Sequence, residues 1–576
     1  MRGMPSQIVA PGGASLPSRK SLAHHAEAGV ERWLLPAILA CLALQFYQLF
    51  FLEINWDEFL YLSRIYDYQN QTLNRALQTF HVYFFNWLPW VGGDEIRQVE
   101  AGRIVMLVLE AATTGFIYLL ARSFTSRNAA LIAALAYISA GFTMIHGASF
   151  RADPLAAFFM MGSLAILARP QLKLGHYCVS ALMMALAAMI TVKVIFYAPA
   201  LVALGLWQIN RSDRPWQKLG FFILTAGASA LIFLGLYLWH EALLPAADLD
   251  GSQTMMASAA KTTIFGLELL PTWNDLLIGA SKALVPTILL VAGLGLAIVS
   301  MRKRRADWAV PATILGLAVP LLSFLFYRNA YPYFFSFIFP PAMVLVAYAV
   351  DRLGMTGRHM IVAAAIMVAS AAGTVFSLHD RDQDAQEETV ETVHKIFPEP
   401  VAVIDRNSMI ASFPKRGIFM SSWGLQAYRQ AGQPVYGTIL SHETVPLLIL
   451  NSPTLENAMG VPVSGPLRAQ LLDTDRRTLR TNYVRHWGKI WVAGKTLSVG
   501  DAPAEFEIAI PGRYKLEAGS SVSIDGRLLS PGQAVVLDRG THVSEAKSAQ
   551  DVVLRWSKAV YRPDFEPLDR TLYRGF

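Results

Sequence analysis

Between residues 33 and 378 the chain is a succession of apolar blocks separated by short polar connections, and this pattern limits what it can fold into. Runs of roughly 18–20 apolar residues span the hydrocarbon core of a bilayer. Asp, Glu, Lys and Arg make up only 16% of the chain, against roughly 25% in an ordinary soluble domain. A soluble enzyme is thereby excluded. Residues 380–576 differ, carrying charge every few positions and no run near spanning length. The pattern predicts an α-helical polytopic membrane protein with a C-terminal soluble region. Its parts are a cytoplasmic tail over 1–32, a membrane domain over 33–380, an α/β region over 381–480 and a β-rich domain over 481–576.

The spans read as 33–52, 103–121, 128–147, 154–168, 176–192, 195–209, 219–239, 283–301, 308–327, 332–350 and 359–378, about eleven in all. With the N-terminus inside, the loops assigned to the cytoplasm are short and basic: Arg122 and Arg127; Arg169 and Lys173; Arg211, Arg214 and Lys218; Arg302 to Arg305; Arg352 and Arg358. The opposite loops are long or acidic, with Asp57, Glu58, Asp67, Asp94, Glu95, Glu100 and Asp153. Positive residues favour the cytoplasmic side, so an odd number of spans places the C-terminal region outside the cytoplasm.

The net charge of +7 follows from these loops, and no Lys/Arg-rich face with interleaved aromatics points to nucleic acid. Cys41 and Cys178 both lie in apolar segments, so no disulfide framework or cysteine metal site is expected. The first 32 residues are polar, without the short apolar core of a signal peptide. In the soluble region, 384–397 reads as a helix and 401–404 and 447–450 as short strands. From about Tyr483 alternating strands are punctuated by Pro-Gly and Asp-Gly turns, the pattern of a small β-sandwich.

A few charges fall where topology does not ask for them. Asp57 and Glu58 follow the first span within "LEINWDEFLY", ahead of an aromatic, interfacial stretch that includes His81. Arg151 and Asp153 are wedged between two apolar runs in "GASFRADPLAAFF", with Pro154 opening the next helix. Lys193 interrupts "AAMITVKVIFYAPALVAL", and Arg328 opens "RNAYPYFFSFIFPP", which also supplies Tyr331 and Tyr333. Both cations sit on the external side, where embedding them costs roughly 2.5–3.5 kcal/mol at the bilayer centre and calls for an anionic partner such as a lipid phosphate. Glu110 within the second span reads as an interhelical hydrogen bond. His81 and His240 lack the spacing of a helical zinc site, and Gly293 and Gly295 are packing glycines.

In order and placement, "WDE", "FRADP", "TVK" and "YRNAYPYFFSFIFPP" resemble the membrane glycosyltransferases of the GT-C type, in particular the family 39-like branch of protein O-mannosyltransferases and lipid A aminoarabinose and galacturonic acid transferases. The resemblance implies a multi-pass protein of the bacterial inner membrane with an extracytoplasmic C-terminal region. It also implies a polyprenyl-phosphate sugar as donor and a glycolipid, polysaccharide or protein acceptor. The site residues then divide into roles. Asp57 is the expected general base, with Glu58 or Asp153 orienting the acceptor or Arg151. Lys193 and Arg328, with Tyr331 or Tyr333, would bind the donor phosphate, and Arg151 and His81 would support them. In-line attack would invert the anomeric centre. No cofactor is required, although Asp57 and Asp153 are compatible with a divalent cation. The competing readings are a non-catalytic transporter of lipid-linked glycans and a membrane-anchored carbohydrate-binding protein.

Overall fold

Apolar runs become helices in a bilayer because every backbone N–H and C=O must find a partner within its own segment. The computed structural model describes residues 19–245, 272–302, 308–327, 329–465, 467, 469–499, 502–517, 521–546, 550–568 and 570–574. Its helices include α1 (Arg19–Leu49), α2 (Trp56–Gln69), α3 (His81–Phe85), α4 (Glu95–Arg122), α5 (Arg127–Ile138), α6 (Gly141–His146), α7 (Ala152–Leu167), α8 (Leu174–Ile190), α9 (Ala198–Asn210) and α10 (Pro215–Leu243), followed by Leu284–Arg302, Ala309–Ala318, Pro332–Ala342, Val344–Arg352 and Gly357–Phe376. Among the described residues six helices are long and apolar enough to cross a membrane, or seven when Pro332–Ala342 and Val344–Arg352, bent by 49°, count as one. Four further apolar helices are shorter, so length supports six or seven of the eleven expected crossings.

Burial sorts these helices. Along α10 only Thr225 and His240 are buried, and Leu224 and Leu231 are 68% and 71% exposed, as a lipid-facing helix requires. By contrast, Asn128 and every later residue of α5 are buried. Five of those residues are alanines, whose small side chains let neighbouring backbones approach closely.

The bend at residues 340–343 has a local cause. Pro340 and Pro341 lack the N–H groups that would bond to the carbonyls of Ser336 and Phe337. Two tyrosines from other helices supply the missing donors: Tyr137 Oη donates to Ser336 O at 3.1 Å and Tyr197 Oη to Phe337 O at 2.5 Å. The helix carrying Tyr333 is thereby tied to α5 and to the 3₁₀ stretch Val192–Tyr197.

Beyond the bundle, the helix Asp384–Ile396 and strands β1 (Val403–Ile404), β2 (Lys415–Arg416), β3 (Leu447–Ile449), β4 (Tyr483–Trp487), β5 (Ile490–Val499), β6 (Ala504–Ile508), β7 (Gly512–Leu516), β8 (Val522–Ile524), β9 (Arg527–Leu529), β10 (Ala534–Leu537), β11 (Gly540–Glu545) and β12 (Gln550–Trp556) form the sheet-containing region. One sheet runs β10-β7-β12-β5-β3-β1-β2 with β4 on β5, and the other β6-β11-β8-β9. The antiparallel β3–β5 pair joins segments on either side of residue 480 into the larger sheet. Between β8 and β9, Asp525 (φ 51°) and Gly526 (φ 79°) both take positive φ, the backbone of the hairpin turn that an Asp-Gly pair favours.

This region is bolted to the bundle beside α2. Ile54 N donates to Gln386 Oε1 at 2.7 Å, and Gln386 Nε2 donates back to Ile54 O at 2.8 Å. Arg381 pairs with Glu53, Gln383 Nε2 donates to Glu100 Oε1 at 2.7 Å, and His394 Nε2 lies 2.7 Å from Glu95 Oε2.

Candidate active site

The sequence "NWDE" opens α2 with a capping box. Asn55 Oδ1 accepts from Asp57 N at 3.0 Å, and Glu58 Oε2 accepts from Asn55 N at 2.9 Å. That reciprocal pair gives the two adjacent acids different surroundings. Glu58 is buried, and Arg103 grips its carboxylate with Nε at 2.8 Å and Nη2 at 2.7 Å. Phe150 N donates to Glu58 Oε1 at 2.8 Å. Burial alone would raise the Glu58 pKa, but Arg103 and the two amides outweigh it and hold the carboxyl below its usual range. Glu58 is a fastener, locking the start of α2 to α4 and to the loop before α7. Arg103 completes the joint by donating to the carbonyls of Leu49, Leu52 and Glu53 at the end of α1.

Asp57, one residue earlier, points elsewhere. Its Oδ2 meets Arg151 Nη1 at 2.6 Å while its side chain keeps 20% exposure. From it a ladder of alternating charge runs inward. Arg151 Nε lies 3.8 Å from Asp153 Oδ2, and Asp153 Oδ1 pairs with Lys193 Nζ. The inner members are nearly buried, with side-chain exposures of 4% for Arg151, 2% for Asp153 and 11% for Lys193. Each comes from a break between apolar helices. Arg151 occupies the N-cap position of α7 and Asp153 sits in its first turn. Lys193 follows Thr191, whose Oγ1 accepts Lys193 N at 3.3 Å and ends α8.

Tyr333 roofs the ladder. The Arg151 guanidinium lies 3.6 Å from its ring centroid, Lys193 Nζ 5.4 Å, and the Tyr331 ring 6.0 Å at an interplanar angle of 27°. Such cation–π contacts strengthen when desolvated. Asp57, Arg151, Asp153, Lys193, Tyr331 and Tyr333, expected from separate motifs, therefore meet in one place. Arg328 lies outside the described residues. His81 stands behind α2, its ring 4.8 Å from that of Tyr61.

Asn55 and Arg103 are not among the residues the sequence points to, and Tyr61 stands out there only as one of the aromatics of the interfacial stretch, yet each leaves a trace. Asn55 and Glu58 have the N-cap spacing of a capping box. Arg103, alone at the head of an apolar span, required an acid at the same depth. Tyr61 stands one turn after Asp57, and its hydroxyl faces the Ala152 amide, Arg151, Asp57 and Asp153.

Among the described residues no group of three or more His, Cys, Asp or Glu side chains gathers as a metal cluster. Arg151 bridges Asp57 and Asp153. Farther into the bundle an apolar cavity of about 170 Å³ is lined by Phe142, Pro286, Leu290, Phe335, Phe339 and Met343. Phe335 and Phe339 belong to the helix that carries Tyr333.

No family model matches the chain, and no curated protein matches it in sequence. Among solved structures, ArnT from Cupriavidus metallidurans in the apo state aligns with a TM-score of 0.56 at 14% identity, over 81% of this chain and 98% of that one. The same protein bound to undecaprenyl phosphate aligns with a TM-score of 0.54 at 14% identity, over 80% and 98%. The chain has the GT-C fold. In this fold the ladder from Asp57 to Lys193 is assembled at helix ends: Asp57 in the first turn of α2, Arg151 and Asp153 at the start of α7, and Lys193 just after α8.

Proposed function

We propose that the chain is an integral-membrane glycosyltransferase that moves a sugar from a polyprenyl-phosphate donor to a hydroxyl of an extracytoplasmic acceptor. The observation that carries this reading is the ladder itself. A buried run of paired charges leads out to a part-exposed carboxylate, Asp57, whose Oδ2 meets Arg151 Nη1 at 2.6 Å.

Asp57 takes the proton of the acceptor hydroxyl as that oxygen attacks the anomeric carbon. The bond from that carbon to the phosphate oxygen breaks from the opposite side, and the anomeric centre inverts. The leaving polyprenyl phosphate is stable as an anion, so it needs charge neutralisation more than a general acid. Lys193 and Arg328, with Tyr331 or Tyr333, are assigned to that task, and Arg151 orients Asp57. The apolar cavity of about 170 Å³ on the flank of the Tyr333 helix suits a prenyl chain. The undecaprenyl phosphate bound in the similar ArnT fold supports a donor of this class.

Transport of a lipid-linked glycan without chemistry would draw on ionisable groups deep between helices. Glu110 is one such group, and Gln45 already engages it, donating to its Oε1 at 3.0 Å. Purified protein supplied with polyprenyl-phosphate sugars and an envelope glycolipid extract is expected to release polyprenyl phosphate in step with new glycosidic linkage. Movement of labelled donor across vesicles with no new linkage would overturn the proposal.

A further inference from the structure

The residue before Asp57 opens onto a second, polar space. The Trp56 ring forms part of the wall of a cavity of about 350 Å³ between α2 and the sheet-containing region. This falls in the roughly 300–1,000 Å³ range of small-molecule sites. Arg406, Tyr573, Arg574, Ser452 and Thr571 also line it. The Arg406 guanidinium lies 3.7 Å from the Trp56 ring centroid, and the Tyr573 ring stands edge-on to Trp56 at 6.0 Å and to Phe59 at 6.3 Å.

The wall formed by residues 571–574 is pinned at three points. Thr571 Oγ1 donates to Ser464 O at 3.0 Å, Leu572 O accepts from Gln386 Nε2 at 2.6 Å, and Arg574 N donates to Glu53 Oε1 at 3.4 Å. Gln386 also bonds both backbone groups of Ile54, and Glu53, the residue before it, pairs with Arg381, immediately ahead of α2. The cavity wall and the base are thus held by the same joint.

The chemistry of the lining selects a class of occupant. Aromatic rings suit the C–H face of a sugar, and Ser and Thr hydroxyls suit its hydroxyls. A guanidinium engaged through its face keeps its N–H donors in its plane, in a fork that matches carboxylate and phosphate. With Arg574 a second guanidinium faces the same space, and no Asp or Glu lines it.

We propose that this cavity is the acceptor subsite and that it takes an anionic saccharide, a sugar bearing a phosphate or a carboxylate. The inference rests on the glycosyltransferase reading for the word acceptor, but its binding chemistry is separable from it. Trp56 and Asp57 are consecutive in the first turn of α2, about 100° apart around the helix, so the cavity opens one residue away from the proposed base.

The test is binding to the full chain in detergent or nanodiscs, read by ligand-observed NMR, with glucose 1-phosphate, glucuronate, glucose and inorganic phosphate as probes. Glucose 1-phosphate or glucuronate is expected to bind at least tenfold more tightly than glucose and than inorganic phosphate. Arg406→Gln and Arg574→Gln should each weaken the anionic sugar at least tenfold and leave glucose unchanged. Arg574 is exposed, so its variant keeps the fold even if Arg406→Gln does not. Equal binding of glucose, equal binding of phosphate alone, or no effect of Arg574→Gln would each overturn the assignment. Asp57→Asn separates the two ideas: anion binding that persists while transfer is lost supports both. Binding of anionic sugar by a protein that transfers nothing sinks the enzyme reading alone, and transfer without such binding sinks this one alone.

Discussion

Arg151 Nη1 meets Asp57 Oδ2 at 2.6 Å while the Arg151 guanidinium is stacked 3.6 Å over the ring of Tyr333. Such an arginine has little freedom to follow its partner. The carboxylate is thus positioned by a group at the start of α7, and its side chain keeps 20% exposure.

Asp57→Asn keeps the shape of the capping turn and removes the base. The transfer rate is expected to fall about 10²–10⁴-fold, the usual contribution of general base catalysis, while affinity for a polyprenyl-phosphate sugar changes little. Near-normal turnover in purified protein would remove Asp57 from the role.

Glu58 carries the opposite expectation. Removing one member of a buried ion pair costs about 3–5 kcal/mol because the partner charge is left uncompensated. Glu58→Ala should therefore lower the melting temperature and the yield of folded protein. A variant as stable as the parent but inactive would instead make Glu58 catalytic.

The proline bend makes a prediction that a double-mutant cycle can read. Tyr137→Phe strands the Ser336 carbonyl and should cost about 1–3 kcal/mol. In a Pro340→Ala background the alanine N–H serves that carbonyl, and the same Tyr137→Phe change should cost less than half as much. Equal costs in the two backgrounds would show that Tyr137 does not substitute for the missing amide.

The contact between His394 and Glu95 predicts a pH dependence where the sheet-containing region meets α4. Burial pushes the His394 pKa down, but the hydrogen bond and charge of Glu95, with Asp94 nearby, outweigh burial and raise it above its ordinary value. A raised histidine pKa stabilises the folded state fully below about pH 6.5, the unfolded value. That stability is lost as pH rises through the folded value. Hydrogen exchange over the helix Asp384–Ile396 should speed up more steeply between pH 6.5 and 9 than expected from intrinsic exchange, and His394→Gln should flatten the difference.

Arg151 and Lys193 together already balance Asp57 and Asp153, so transfer is expected to persist in excess EDTA. Abolition by the chelator with recovery on adding a divalent cation would mean that a cation competes with Arg151 for these carboxylates.

The sequence by itself was enough to determine the helical membrane domain, the sheet-containing region and the short set of misplaced charges, because burial in lipid punishes polar residues and makes every exception visible. It did not decide between Asp57 and Glu58. Adjacent acids look alike in one dimension, and only the tertiary structure places Glu58 buried on Arg103 and Asp57 part-exposed on Arg151. Nor did it reveal that Arg151 links Asp57 to Asp153, that Lys193 is held by Asp153, or that tyrosines on other elements cap the carbonyls beneath Pro340 and Pro341. These pairings join residues tens to hundreds of positions apart. Spacing along a chain encodes which face of a helix a residue occupies, whereas the partner it meets is set by how the helices pack.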